Sequence, residues 1–220
     1  MSDTLVESSA ESAFLDLHKK LLTQGRPALA ELQEAALNRF ESLGFPYSKH
    51  EMFTFVNTKG LVATSFSLSD GSAQVSEDFV AGHIYPDCED QCLVFVDGVF
   101  DRGLSRFEGV SANLVSLSEA DQELKDYLSK TAENENDVFA ALSTAFCGEG
   151  LVFKVDDNTQ ISGTVQVLFI STGRSVGPVM HSPRLVWQLG KLAEVKVIEK
   201  FVGTEGGYFI NSVQDWLLAE

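Results

Sequence analysis

The densest run of potential ligands is the segment HIYPDCEDQC, from His83 to Cys92. An imidazole, two thiols and several carboxylates in one short stretch are the side chains that bind zinc or carry sulfur. A structural zinc site needs four ligands, supplied as two pairs at matching short spacing. Cys88 and Cys92 are separated by three residues and no second pair follows downstream, so the metal reading fails on ligand count. Cys92 opens an apolar run, where a thiol packs as a small hydrophobe. Cys147 follows Phe146 at the end of a helical face, and the negative end of a helix disfavours a thiolate. It too is expected in the core.

The other reactive side chains are scattered. His181, in MHSPRL, has no H-x-x-x-H partner, and Pro183 and Arg184 beside it describe a loop leading into a strand. It is expected as a surface or turn histidine. His18 and His50 stand alone in the same way, and Glu199 falls mid-strand, facing solvent or a neighbouring strand. The knot Lys49-His50-Glu51 has no catalytic partner in the chain, and its residues line a turn between a helix end and the aromatic alternation of Phe53 and Phe55. No G-x-S-x-G elbow, G-x-x-x-x-G-K-[ST] loop or G-x-G-x-x-G fingerprint occurs. The glycine-rich GTEGGY does not open a helix. No catalytic or metal-ligating residue is assigned, no cofactor-binding residue is identified, and the chain reads as a non-enzyme.

The elements that would position any site follow from composition and period. With 220 residues, 44% of them hydrophobic and 16 of them Phe, the chain can build a substantial core. No apolar run approaches the roughly 18 residues of a membrane span. The opening MSDTLVESSAES is acidic and lacks the features of a signal peptide, which points to the cytoplasm. Three cysteines, an odd number, do not suggest a disulfide framework. Residues 1–150 carry 25 acids and 10 bases, a balance of −15, whereas residues 151–220 carry 7 acids and 6 bases. Nucleic acid is disfavoured as a partner by that acidity. The change near residue 150 divides the chain into a region 1–150 and a region 151–220.

Helical period dominates the start. Ser8 to Glu11 has capping-box form, Phe14, Leu17 and Leu21 share a face, and Gly25 and Pro27 punctuate the chain. Leu29, Leu32, Ala36, Phe40 and Leu43 form a second stripe, closed by Gly44 and Pro46. These describe a helical hairpin. The period then changes to two in MFTFVN and LVATSFSL. Asp97-Gly98 between apolar runs predicts a type I′ hairpin, followed by a strand at ANLVSL. Helices return with Ser118-x-x-Asp121 opening the first and Phe139, Leu142 and Phe146 on the second, with a polar loop from Glu133 to Asp137. Beyond residue 150 come LVFKV, TVQVLFI, RLVWQLG, EVKVIEKF and YFINSVQDWLLAE, runs suited to stacked strands. Periodicity leaves a β-sandwich and a parallel β-solenoid both open. The last run shows no cap, so the chain is expected to be cut short, and an uncapped edge would favour an edge-to-edge homodimer.

Four ordered segments carry a family resemblance: RFESLGFPYSKHEMFTFVN; LVFVDGVFDRGLS with GVSANLVSLSEA; DVFAALSTAFCGEGLVFKV; and SPRLVWQLGKLAEVKVIEKFVGTEGGYFINSVQDWLL. Together they resemble the SufB/SufD family of iron–sulfur cluster assembly scaffold proteins, the SufD branch most. Phe53 and Ser143 depart from the Trp and Asn that members often carry there. The resemblance implies an α+β fold: an N-terminal helical hairpin and small mixed α/β region, then the first rungs of a right-handed parallel β-helix. It implies an N-terminal fragment of a scaffold subunit in a SufBCD-type complex. Its partners would be SufB-like and SufC-like (ATPase) proteins and a sulfur-donor protein. The iron–sulfur cluster belongs to the full complex, with none bound by this fragment. A stand-alone acidic protein-binding module is the alternative reading.

Overall fold

The computed structural model describes residues 13–21, 29–46, 53, 55–69, 71–108, 110–173, 177–204 and 206–219. The capping box at Ser8 to Glu11, Gly25, Pro27 and the knot Lys49-His50-Glu51 lie outside them.

The helical layer consists of α1 (13–21), α2 (Ala30–Leu43), α5 (Gln122–Glu133) and α6 (Val138–Phe146). Two short helices, α3 (Lys59–Val62) and α4 (Glu77–Ala81), lie in the connecting chain. The stripe Leu32, Ala36 and Phe40 turns inward on α2, which packs on α5 and α6. Gly44 closes α2 at φ 66°, its N–H bonded to the Phe40 carbonyl at 2.9 Å. Positive φ costs glycine little, so the chain turns there without strain. Asp137 caps α6, its carboxylate accepting from the Phe139 and Ala140 N–H groups. Phe14, Phe40, Phe45 and Phe146 meet as one aromatic cluster, with centroid separations from 5.2 to 6.4 Å.

Local readings fail at three places. Asp121, not Ser118, is the N-cap of α5, accepting from Leu124 N–H at 2.9 Å; Ser118 sits in the preceding 3-10 turn. Within MFTFVN, Phe53 packs against Phe139 at 5.6 Å, but Phe55 is 99% exposed in a turn. The alternation therefore does not mark a strand at its described positions. In LVATSFSL the first two residues end α3, and only Ser67–Leu68 (β1) is extended.

The remaining strands are β2 (Gln91–Val96), β3 (Val99–Phe100), β4 (Arg106–Phe107), β5 (Asn113–Ser116), β6 (Leu151–Val155), β7 (Val165–Ser171), β8 (Val179–His181), β9 (Arg184–Leu189), β10 (Val197–Gly203), β11 (Tyr208–Ile210) and β12 (Val213–Leu218). The β2–β3 hairpin forms at Asp97-Gly98, both at positive φ as a type I′ turn demands.

From β6 onward the chain visits three sheets in strict rotation. One sheet holds β12-β9-β6-β5, the second β10-β7-β2-β3 and the third β1-β8-β11. Each return is parallel to the strand before it: Leu151 beside Leu185, Val165 beside Val197, Val179 beside Tyr208, Arg184 beside Val213. Phe153, Val167, Phe169, Leu185 and Trp187 fill an apolar centre. At one end β5, β2 and β1, all from before residue 150, provide a strand to each sheet ahead of the rotation. The core of the helical layer also takes in Val152, Met180 and Val186 from the strands. The result is a mixed α/β fold in which helices pack on stacked, largely parallel strands. No described helix is long and apolar enough to cross a membrane.

Candidate functional site

All three cysteines are reduced and buried. Burial, then the neighbouring Cys88, push the Cys92 thiol up to about 12. Cys88 is raised by burial, with Asp87 and Glu89 adding to it. A thiol held protonated is a poor nucleophile and a poor ligand. The nearby His83 turns Nδ1 to the Phe79 carbonyl at 2.8 Å and lies against the Phe79 ring, tilted by 39°. Among the described residues no group of three His, Cys, Asp or Glu side chains is arranged to hold a metal ion. Cys147 ends α6, and its carbonyl accepts from Gln33 Nε2 at 2.9 Å.

His181 corrects the reading of a surface or turn histidine. It ends β8, is 5% exposed, and its Nε2 lies 2.8 Å from Ser171 Oγ. Burial lowers its pKa, with Asp97 acting in the opposite sense. Serine, histidine and aspartate are the residue types of a nucleophilic triad, but the roles do not connect. Asp97 uses one carboxylate oxygen on Thr172 N–H and the other on Thr172 Oγ1, each at 2.7 Å. His181 Nδ1 has no hydrogen-bond partner, so nothing orients the ring as a triad requires. Ser171 is itself buried. The cluster instead fastens the β2–β3 turn to the ends of β7 and β8. A Cβ at Gly98 would stand 2.9 Å from His181 Cβ, so the turn closes only over glycine. These residues lie far apart in sequence, and the one signal that could have found the contact was the Asp97-Gly98 turn itself.

A second set of polar contacts ties helices to strands. The buried Arg184 places Nη2 2.7 Å from Asp215 Oδ2, across the β9–β12 pair, and Nη1 donates to Thr144 Oγ1 on α6. Ser143 Oγ donates to the Asn211 carbonyl at 2.6 Å, and Asn211 Nδ2 donates to the Phe139 carbonyl at 2.8 Å. The hydroxyl at position 143 is therefore a structural anchor.

The surface that remains unsatisfied is the far end of the rotation. β10, β11 and β12 each form the outer edge of their sheet. On each lies an aromatic ring stacked on the strand below: Phe201 on Phe169 at 4.7 Å, Trp216 on Trp187 at 4.9 Å, Tyr208 on His181 at 6.3 Å. The lower rings are buried, while the upper three are 49%, 46% and 41% exposed. Ile198 and Leu218 are exposed beside them. Glu199, in register with Val167 on β10, is exposed too, yet crowded enough by its surroundings to raise its carboxyl. Each of these three strand edges thus carries one half-exposed aromatic ring.

Comparison with known proteins identifies the lineage of this architecture. The SufBD protein N-terminal region matches residues 8–167. The chain belongs to the SufBD family. It is 25% identical over 181 residues to an iron–sulfur cluster assembly SufBD family protein of Synechocystis sp.. That alignment takes in 79% of this chain and 39% of the relative, so the SufBD chain spans well under half of the relative's length. The match runs through the helical layer, the capping strands and into β7, leaving the open end beyond it.

Proposed function

We propose that this SufBD chain is a SufD-like scaffold segment, without enzymatic activity of its own, in a SufBCD-type complex that assembles iron–sulfur clusters. Its partners in that role are a SufB-like subunit, a SufC-like ATPase and a sulfur-donor protein, in the cytoplasm. The nascent cluster is cargo of the whole complex, and this chain holds none. The observation that carries the reading is family membership, joined to a fold in which β10, β11 and β12 each lie at the edge of a sheet with an exposed aromatic ring. In this reading the three-sheet rotation is the opening of a right-handed parallel β-helix, and β10, β11 and β12 are the rung on which further strands stack. Fully covering a large apolar side chain contributes about 1.5–3 kcal/mol, so the half-exposed Phe201, Tyr208 and Trp216 each offer a following rung roughly half of that. The test is co-expression of the full-length gene product with SufC-like and SufB-like proteins. Co-purification as a defined complex is expected, and repeated failure to associate under gentle lysis refutes the proposal.

The balance of −15 on residues 1–150 favours a second reading, a stand-alone acidic module that captures a basic protein. Attraction between exposed charges is screened within about 10 Å at 0.1 M salt. That reading requires capture to be lost as salt rises; association that persists at high salt counts against it.

A further inference from the structure

His18 occupies an unusual position for an imidazole. It lies on the inner face of α1, 1% exposed, with its ring edge-on to Phe146 at 5.5 Å. Neither Nδ1 nor Nε2 makes a hydrogen bond of good geometry, although the Ala145 backbone on α6 stands near enough to act on the ring. The same face carries Phe14, Leu17 and Leu21, and Phe14 meets Phe40, Phe45, Phe66 and Phe146. An apolar side chain would fill this space without leaving two polar atoms unsatisfied, so the imidazole adds nothing to packing that a hydrophobe would not. What it adds is a proton-dependent charge inside the contact. We propose that protonation of His18 undocks α1 from α2 and α6, making this helix an acid-released strap over the aromatic cluster.

Burial, set against the groups around the ring, decides the direction. It disfavours the protonated form, while the Ala145 backbone on α6 and then, through space, Glu34 and Glu41 on α2 favour it. The segment Val138–Phe146 contains no ionisable side chain. On α1 itself Asp16 and Lys19 pair with each other at 2.9 Å on the exposed side, and Lys20 is also exposed. Burial outweighs the two carboxylates, and the ring's pKa is lowered from its ordinary value. The docked helix therefore binds fewer protons than the undocked one. Its attachment is intact above the ordinary histidine pKa of about 6.5 and weakens as pH falls through that value.

Amide hydrogen exchange on the intact chain tests this directly. Exchange of the peptide spanning residues 13–21 is followed by mass spectrometry at pH 7.5 and 5.5, with rates normalised to unstructured-peptide exchange. Free protonation of the undocked imidazole raises the opening constant about tenfold over this interval. Protection of α1 is thus expected to fall about tenfold, while the β7 peptide Val165–Ser171 stays protected. His18→Phe and His18→Gln should each abolish the pH response of α1. An unchanged response in both variants, or no fall in the wild-type protein, overturns the proposal. Should both variants lose protection in β7 as well, the wild-type His18 ring is titrated by NMR. A midpoint below 6.5 accompanied by α1 opening supports the strap, and a midpoint above 6.5 with α1 still protected overturns it.

Discussion

Replacing Asp215 with alanine should destabilise the chain far more than its position on an edge strand suggests. The side chain of Arg184 is 4% exposed and that of Asp215 16%, with Nη2 and Oδ2 2.7 Å apart. The approach is a charge contact off the hydrogen-bonding line, and Arg184 Nε has no partner of its own. Charges about 4 Å apart at an effective dielectric of 20 attract by about 4 kcal/mol. Removing the carboxylate leaves a guanidinium buried between β9 and α6 with only Thr144 to meet it. Stranding one member of a buried pair costs about 3–5 kcal/mol. For a chain of this size each kcal/mol moves the melting temperature by about 2–4 °C, so Asp215→Ala should melt about 6–20 °C lower. The double variant Arg184→Met, Asp215→Leu removes both charges and the unpaired Nε together, and should recover most of that loss. Urea and thermal unfolding of wild type, Arg184→Met, Asp215→Leu and the double variant complete the cycle, with Asp215→Ala measured beside them. If Asp215→Ala costs less than about 1 kcal/mol, or the double variant is no more stable than either single one, the pair is not the clamp between helices and strands described here.

Three further outcomes follow from single positions. Leu192 is 82% exposed at φ 56°, in the turn stacked beside Asn158, which has the same φ; Leu192→Asn should stabilise by about 1 kcal/mol, seen as a higher unfolding midpoint. A Cβ at Gly190 would fall 2.4 Å from Asp157 Oδ1 and 2.6 Å from its backbone N, so Gly190→Ala should cost about 1–3 kcal/mol by the same assay. With its thiol at about 12, Cys92 is about one part in ten thousand thiolate at pH 8, so iodoacetamide should spare it in the folded chain and label it after denaturation, read by intact mass.

What the residues disclosed depended on how local the deciding interaction was. The Asp97-Gly98 turn, the Gly44 stop and the apolar stripe of α2 rest on neighbours within a few positions, and each is legible from the chain alone. β8 was not. Its three residues lie between Pro178 and Pro183 and end in a histidine, a pattern that reads as a turn. Only pairing with β1 and β11, far away in sequence, makes it a strand and buries His181. LVATSFSL misled for the opposite reason, because a helix as short as α3 is below the length at which a 3.6-residue period can be seen. Among candidate site residues, the Asp97–Ser171–His181 cluster was not legible, since its members meet only once the three sheets are stacked. The stacked rings on β10, β11 and β12 are likewise invisible in the chain, because each pairs with a residue on a strand 27 or more positions earlier.

The order in which the sheets are built gives the chain a direction. β1, β2 and β5 are all complete in sequence before β6 begins, so every strand of the rotation finds a finished template on its own sheet. In stacked architectures stability is nearly a sum of neighbour-to-neighbour terms, and growth runs outward from whatever forms first. Synthesis releases the N-terminal residues first. The helices and their three short strands thus act as a primer, and each later strand is copied onto a surface that already exists. A lesion in β1, β2 or β5 would therefore remove the start of the series and not merely one member of it, and nothing laid down afterwards could replace that lost first surface.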